Sequence, residues 1–385
     1  MSGARHVRRL AVAAMAVVAV VLGSWSGDLH AARGTPGQWN LATGICGTVV
    51  DLATQGYTGY VFAAVQSQNQ FCAGVYRSSN GGASFSKVGI TYPGYSQPTI
   101  FDLSNGPGAA IYAATSAGIW RTYSETMVTW ERLTNGFPVN EYGVVLGWIY
   151  MVDWVWGSNE FYATFDPEAL NGGGLYRSTD GGSSWTLVQP GLDAVSVNHG
   201  MQCGGTGNLT VVAAARPDRG GLAGGLWVSR DGGVTWARSL TWPTARAMDA
   251  GIDCSGNQYI NKNFTHIFVT NGDPTVNAAV YRSTDLAQTF VPDNQGIPTC
   301  CGSTIRDDRL GWTLGNVVGS WAPTSGGDGL YTRNIESKIG AAWSKYTANG
   351  LPFGAAIADW VYTPDPATGI FQYVVIVNGG IYYKR

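Results

Sequence analysis

The chain is poor in charge. Only 12% of its 385 residues are Asp, Glu, Lys or Arg, against about 25% in an ordinary globular domain. With a net charge of −2 and no basic run beyond the N-terminus, it lacks the electrostatic footprint of a nucleic-acid binder. Histidine is scarce as well. Only His6, His30, His199 and His266 occur, which leaves too few for a histidine-based metal centre or a Ser-His-Asp triad. No Cys-x-x-Cys or mixed His/Cys ligand spacing is present, so neither a metal nor a cofactor is expected. The apolar stretch at residues 10–22 falls short of the ~20 residues that span a bilayer.

That stretch follows Arg5, Arg8 and Arg9 and leads into Gly23, Ser24, Ser26 and Gly27. A charged start, an apolar middle and a small-residue end make an export signal. Residues 1–32 are therefore expected to be a signal peptide and short linker, and 33–385 a folded domain that is secreted, periplasmic or on the cell surface. No stable membrane insertion is expected after signal removal. Six cysteines, Cys46, Cys72, Cys203, Cys254, Cys300 and Cys301, fit an oxidising compartment. Cys46 with Cys72, Cys203 with Cys254, and the adjacent Cys300 and Cys301 are the candidate pairs, and connectivity stays open.

What is abundant is glycine, 54 residues, roughly twice the usual share, together with a repeat. Four segments share one pattern: 76–85 (YRSSNGGASF), 176–185 (YRSTDGGSSW), 228–236 (VSRDGGVTW) and 281–290 (YRSTDLAQTF). Each reads as strand, turn, strand. Ser and Asp bond turn backbone groups, glycines permit positive φ, and the terminal aromatic restarts a strand by burying its ring. Ser78, Asn80, Ser178, Asp180, Trp185, Ser229, Asp231, Trp236, Ser283 and Asp285 are thus structural positions. Degenerate copies start at Trp120 and Tyr331. The aromatic before each turn recurs at Tyr76, Trp120, Tyr176, Trp227, Tyr281, Tyr331 and Tyr382, a mean step of 51 residues. An upstream ladder, Asp51, Asp102, Asp153, Gln202, Asp253, Asp307 and Asp359, repeats in step, and we read these positions as turn caps.

Between the ladders lie apolar runs such as 60–65 (YVFAAV) and 372–377 (QYVVIV), patterned as half-buried or buried strands. Four strands per unit make a propeller blade. The expected fold is all-β: a single seven-bladed β-propeller of four-stranded blades. The last unit stops before a fourth strand, and the segment around Trp39 supplies one, which removes a free sheet edge.

A site on a periodic scaffold is an exception to the period. Non-repeating residues collect in the loops opposite the repeated turns. Asp166 and Asp218, with Glu168 nearby, are the candidate carboxylate pair for glycoside cleavage. Arg216, Arg219, Asp273, Trp321, Asp328, Trp242, Arg246 and Glu141 are candidate ligand-binding residues.

The repeated segments resemble the Asp-box, or BNR, superfamily, which includes sialidases, xyloglucanase-like hydrolases, sortilin-type receptors and photosystem II assembly-factor propellers. The Arg-Ile-Pro motif that opens the sialidase arginine triad is absent. The xyloglucanase-like loop Asp is matched in part by Asp166 in the run 162–166 (YATFD). The resemblance and the exported location point to a non-enzymatic protein- or glycan-binding module with an extracellular protein or polysaccharide partner. The alternative is an extracellular glycoside hydrolase acting through the carboxylate pair.

Overall fold

The structure, a computed structural model, describes residues 39–384 apart from 56–57, 91–97, 124–128, 156–157, 170–171, 200–209, 218–221, 241, 244–246, 254–265, 272–279, 298–309, 314–315, 322–328, 335–341, 346–350, 353–356, 365, 367–368 and 370, with backbone alone at 199, 247–253, 266, 310–313, 316–321, 329–330, 332–334, 345 and 371. Among the described residues the strands pair into four-stranded antiparallel sheets that follow one another along the chain. The first holds Thr48–Thr54, Val61–Gln66, Gly74–Ser78 and Ser86–Lys87; the second Ile100–Asn105, Ile111–Thr115, Gly118–Thr122 and Glu131–Leu133. The third holds Ile149–Trp154, Phe161–Phe165, Gly174–Ser178 and Thr186–Pro190; the fourth Ala194–His199, Val211–Ala215, Gly225–Ser229 and Ala237–Arg238. The fifth runs Ala247–Asp253, His266–Asn271, Val280–Ser283 and Val291–Pro292; the sixth Leu310–Thr313, Asn316–Trp321, Gly329–Asn334 and Ser344–Lys345. The last joins Ile357–Pro364, Phe371–Val377 and Gly380–Lys384 to the N-terminal strand Trp39–Leu41, whose Asn40 pairs with Tyr383.

Described second strands are buried nearly throughout, as in residues 61–65 and Phe161–Phe165, because both faces pack on neighbouring sheets. This is why they read as continuous apolar runs instead of alternating ones. The expectation of seven blades needs correction. Six first strands share a bulge at one register position, between Val49 and Asp51, Ile100 and Asp102, Ile149 and Met151, Ala194 and Ser196, Ala247 and Asp249, and Ile357 and Asp359. The same six sheets supply all six apolar core clusters among the described residues. In the sheet of residues 310–345 the described part of the first strand, Leu310–Thr313, pairs without a shift. Among the described residues six blades, not seven, thus share this register. Among the described residues that remaining sheet meets the fifth through Trp343, which lies edge-on to Phe268 at 6.2 Å, donates its indole N–H to Asp293 O at 2.7 Å and its backbone N–H to Gln295 O at 2.8 Å.

The aspartate ladder does not cap turns. Each described ladder carboxylate reaches across to the next blade and accepts a backbone N–H from its first strand. Asp51 takes Leu103 N–H at 2.5 Å, Asp102 takes Val152 N–H at 2.8 Å, and Asp153 takes Val197 N–H at 2.7 Å. Asp359 takes Leu52 N–H at 2.8 Å and closes the ring from last blade to first. The bulge register also moves the ladder. Its position in the third blade is Met151, with Asp153 two residues on doing the bridging, and in the fourth and fifth it is Ser196 and Asp249, not Gln202 and Asp253. This removes the reason for pairing Cys203 with Cys254; both lie outside the described residues, as do Gln202, Asp307, Cys300 and Cys301. Cys46 and Cys72 form a disulfide with Cα atoms 5.3 Å apart.

Candidate functional site

Antiparallel order puts the turns between third and fourth strands at one end of the blades, and the loops between second and third strands at the other. The links from a fourth strand to the next blade share that second end. At the turn end, Ser178 Oγ donates to Asp180 Oδ1 at 2.8 Å and accepts the Gly182 N–H, while Asp180 accepts the Ser184 N–H and O–H. Ser229, Asp231, Gly233 and Thr235 repeat this arrangement, as do Ser283, Asp285, Ala287 and Thr289. In the first blade Asn80 stands for the Asp. Burial nudges the Asp180 and Asp285 carboxyls upward, but hydrogen bonds from Ser184 and Thr289 outweigh it and hold both below the usual range. Asp231, bonded first by Thr235, is held down at about 2.

The preceding blade then grips the turn. Tyr112 Oη and Arg121 Nη1 both donate to Gly181 O, Gln372 Nε2 donates to Gly81 O, and Arg230 Nη1 donates to Leu286 O. Tyr162 donates to Glu160 at 2.7 Å and lies so close under Gly233 that a Cβ there would come within 1.8 Å of its hydroxyl. Burial pushes the Tyr112 hydroxyl up to about 12 against the lowering influence of Arg121. Burial raises Tyr162 still further, reinforced by the Glu160 charge. The contact between blades here is Tyr162 Oη with Gly232 O at 3.5 Å. In the fifth blade Leu286 and Ala287 replace the two glycines and still adopt positive φ, 58° and 62°. The hydrogen bonds of the box hold that conformation against a cost of roughly 1–2 kcal/mol per residue.

At the loop end, cations and aromatic tips serve as braces. Tyr76 Oη donates to Cys72 O, Tyr176 Oη to Gly172 O and Trp227 Nε1 to Ala223 O, each reaching four residues back. Lys87 donates to Gln70 O and Phe71 O, Arg132 to Ala117 O and Arg238 to Gly224 O. Arg216 lies 3.7 Å from the fully buried Asp193, and its own N–H bonds Asp193 O, so it ties two loops together. Asp193 carries no signal in sequence that marks it.

The candidate residues separate accordingly. Asp166 follows the second strand of the third blade; its N–H donates to Trp148 O at 2.8 Å and its Oδ1 accepts the Glu168 N–H at 3.3 Å. It therefore closes its own loop, with Glu168 exposed beside it. Asp218, Arg219, Asp273, Asp328 and Arg246 lie outside the described residues, and Trp321 has its backbone alone described. Trp242 is a correction. It is 5% exposed and packs edge-on to Tyr281 and Phe290 at 5.1 and 5.5 Å, so it belongs to the core. Phe137 and Leu192, seven residues after Trp130 and Trp185, are buried in the same way, and Trp242 follows Trp236 by six, so a buried apolar residue six or seven positions past the box aromatic was the signal available.

Glu141 leads to the feature sequence reasoning missed. Residues 138–146, in the link from second to third blade, form a small hairpin: Asn140 N–H bonds Val144 O, Leu146 N–H bonds Pro138 O, and Asn140 Oδ1 accepts the Tyr142 and Val144 N–H groups. Phe137 and Val145 anchor it in the core. Val139, Tyr142, Leu146 and Trp148 are nonetheless 42, 81, 52 and 50% exposed. Trp148 stacks on Phe101 at 5.6 Å, and Tyr150 meets Phe101 at 5.1 Å. The result is an aromatic and aliphatic arc beside Asp166, built on a braced hairpin.

No protein-family model and no curated protein matches the sequence. Solved structures do. YCF48 bound to D1 peptide matches with a TM-score of 0.57 over 91% of this chain and 96% of that one, at 12% identity. An ancestral GH74 enzyme matches with a TM-score of 0.58 at 17% identity, over 91% of this chain and 46% of the enzyme. The extracellular domain of a hybrid two-component system from B. thetaiotaomicron matches with a TM-score of 0.55 at 10% identity, over 91% of this chain and 42% of that one. The fold is that of an Asp-box β-propeller. The likeness concerns the fold alone, and the propeller spans less than half the length of the GH74 enzyme and of the sensor domain.

Proposed function

We propose that the propeller is an exported, non-enzymatic docking module that takes a protein partner on its loop end. The observation that carries this reading is the exposed arc of Val139, Tyr142, Leu146 and Trp148. Contiguous apolar surface on a rigid support is characteristic of protein-binding sites. Half of the arc is aliphatic, and aliphatic side chains gain little from a sugar's hydroxyls. The hydrolase alternative has weaker support, because Asp166 is engaged in closing its own loop. Export rests on the residues 1–32 pattern, and a propeller of the same fold is known with a bound peptide.

The test is site-specific photocrosslinking in the producing cell. A photoreactive phenylalanine at position 142 is compared with one at Val234, which is also open to solvent but lies in an Asp-box turn. The expected result is discrete protein adducts at 142 and none at 234. Equal labelling from both positions, or turnover of any member of a polysaccharide panel by the purified propeller, overturns the reading.

A further inference from the structure

We infer that the segment docked on the hairpin arc carries apolar side chains next to lysine or arginine; this rests on the docking reading above and specifies its partner. The charges of the loop end are unevenly committed. The cations described there are fixed in place as braces: Lys87 on Gln70 O and Phe71 O, Arg132 on Ala117 O and Gly143 O, Arg238 on Gly224 O. Arg216 lies against Asp193. The carboxylates around the arc are placed differently. Glu141 adjoins Tyr142 at the hairpin tip and is exposed, and Glu168 is exposed two residues from Asp166, whose N–H bonds Trp148 O.

The arc therefore offers aromatic rings with a rim on which the carboxylates Glu141, Asp166 and Glu168 outnumber the one described cation that reaches the hairpin, Arg132. Such a surface repels acidic segments and attracts a cation twice, once through the carboxylates and once through the ring faces. Val139 and Leu146 supply the apolar remainder. Because the hairpin is already hydrogen-bonded and braced by Arg132, little ordering is left to oppose binding.

The experiment pans a random dodecapeptide display library on the mature propeller and counter-pans it on Tyr142→Ser, a change at an open position that leaves the core untouched. Retained peptides are expected to be enriched in Lys or Arg adjacent to aliphatic or aromatic residues. A synthetic peptide from that set should bind Tyr142→Ser about tenfold more weakly. It should bind Glu141→Gln/Glu168→Gln about fivefold more weakly, and its affinity for the unaltered propeller should fall as salt is raised. Retained peptides that are neutral or acidic, with affinity indifferent to the double carboxylate change, overturn the inference while leaving the docking reading standing. Failure to retain any peptide in a Tyr142-dependent way overturns both.

Discussion

Replacing Asp359 by alanine should cost the propeller about 3–5 kcal/mol. Asp359 is buried; its Oδ2 accepts Leu52 N–H at 2.8 Å and its Oδ1 accepts Trp360 N–H at 2.7 Å. Each hydrogen bond to a charged acceptor is worth roughly 1.5–3 kcal/mol net, and the upper part of that range applies when the donor left behind is buried. Asparagine keeps one carbonyl acceptor but turns an N–H₂ toward the other donor, so Asp359→Asn should lose about half as much. Asp102→Ala, whose bond to Val152 lies at an interior seam, serves as the comparison. Urea unfolding gives the totals. Amide exchange at Leu52 and across Trp39–Leu41 reports whether the seam between last and first blades opens ahead of the rest. A loss below about 1 kcal/mol for Asp359→Ala, or protection at Leu52 unchanged from wild type, would refute the assignment of ring closure to this carboxylate.

Gly233→Ala should destabilise by about 2–4 kcal/mol, because φ there is +81° and the new Cβ meets the Tyr162 hydroxyl; adding Tyr162→Phe should recover part of the loss in a thermal melt, and additivity of the two changes would count against the close approach. The Asp180, Asp231 and Asp285 carboxyls have folded-state values below their unfolded ones. Their stabilisation is therefore complete above the unfolded carboxylate range near 4 and disappears as pH falls toward about 2 for Asp231. Melts from pH 5 to pH 2 should converge for wild type and Asp231→Asn at the acid end, and parallel curves would contradict this. Cys46→Ser opens a 26-residue loop and should cost about 3.5 kcal/mol on the chain-entropy account, read as a shift in urea midpoint that reductant reproduces in wild type.

How much of this could be read beforehand depended on the reach of each interaction. The Asp-box turns were legible because Ser178, Asp180, Gly182 and Ser184 bond one another within four residues, so the chemistry is written locally. The ladder was visible as a spacing but not as a function. Asp51 acts on an amide 52 residues away, and nothing near it in sequence tells a bridging carboxylate from a capping one. A bulge shared by six first strands then shifted the true positions to Ser196 and Asp249, which a count of aspartates cannot detect. Trp242 misled for the related reason that an apolar residue in a loop turns inward only when a neighbouring blade offers Tyr281 and Phe290 to receive it. The arc at Trp148 was overlooked because aromatics in an all-β chain are by default core, and only exposure separates Trp148 from Trp185.

The two ends of the propeller tolerate change differently, and the hairpin is where that difference can be tested. At the Asp-box end, one blade's Tyr, Arg or Gln side chain must find a carbonyl of the next blade's turn, so altering the turn disturbs two blades at once. At the loop end, the braces run from strand side chains to loop carbonyls, which any residue can supply. Residues 139–144 should therefore be removable. Their hydrogen bonds are largely internal to the hairpin, the one brace reaching them is Arg132 to Gly143 O at 3.4 Å, and Phe137 and Val145 stay in the core. Joining Pro138 to Val145 through Gly-Asn-Gly should lower stability by less than about 1 kcal/mol, a shift of about 2 °C in Tm for a domain of this size. The same change should abolish crosslinking from the loop end, read through a photoreactive residue placed at position 148. A fall of more than about 5 °C would mean that the hairpin holds the second and third blades together, and its exposed aromatics would then need a structural explanation in place of a docking one.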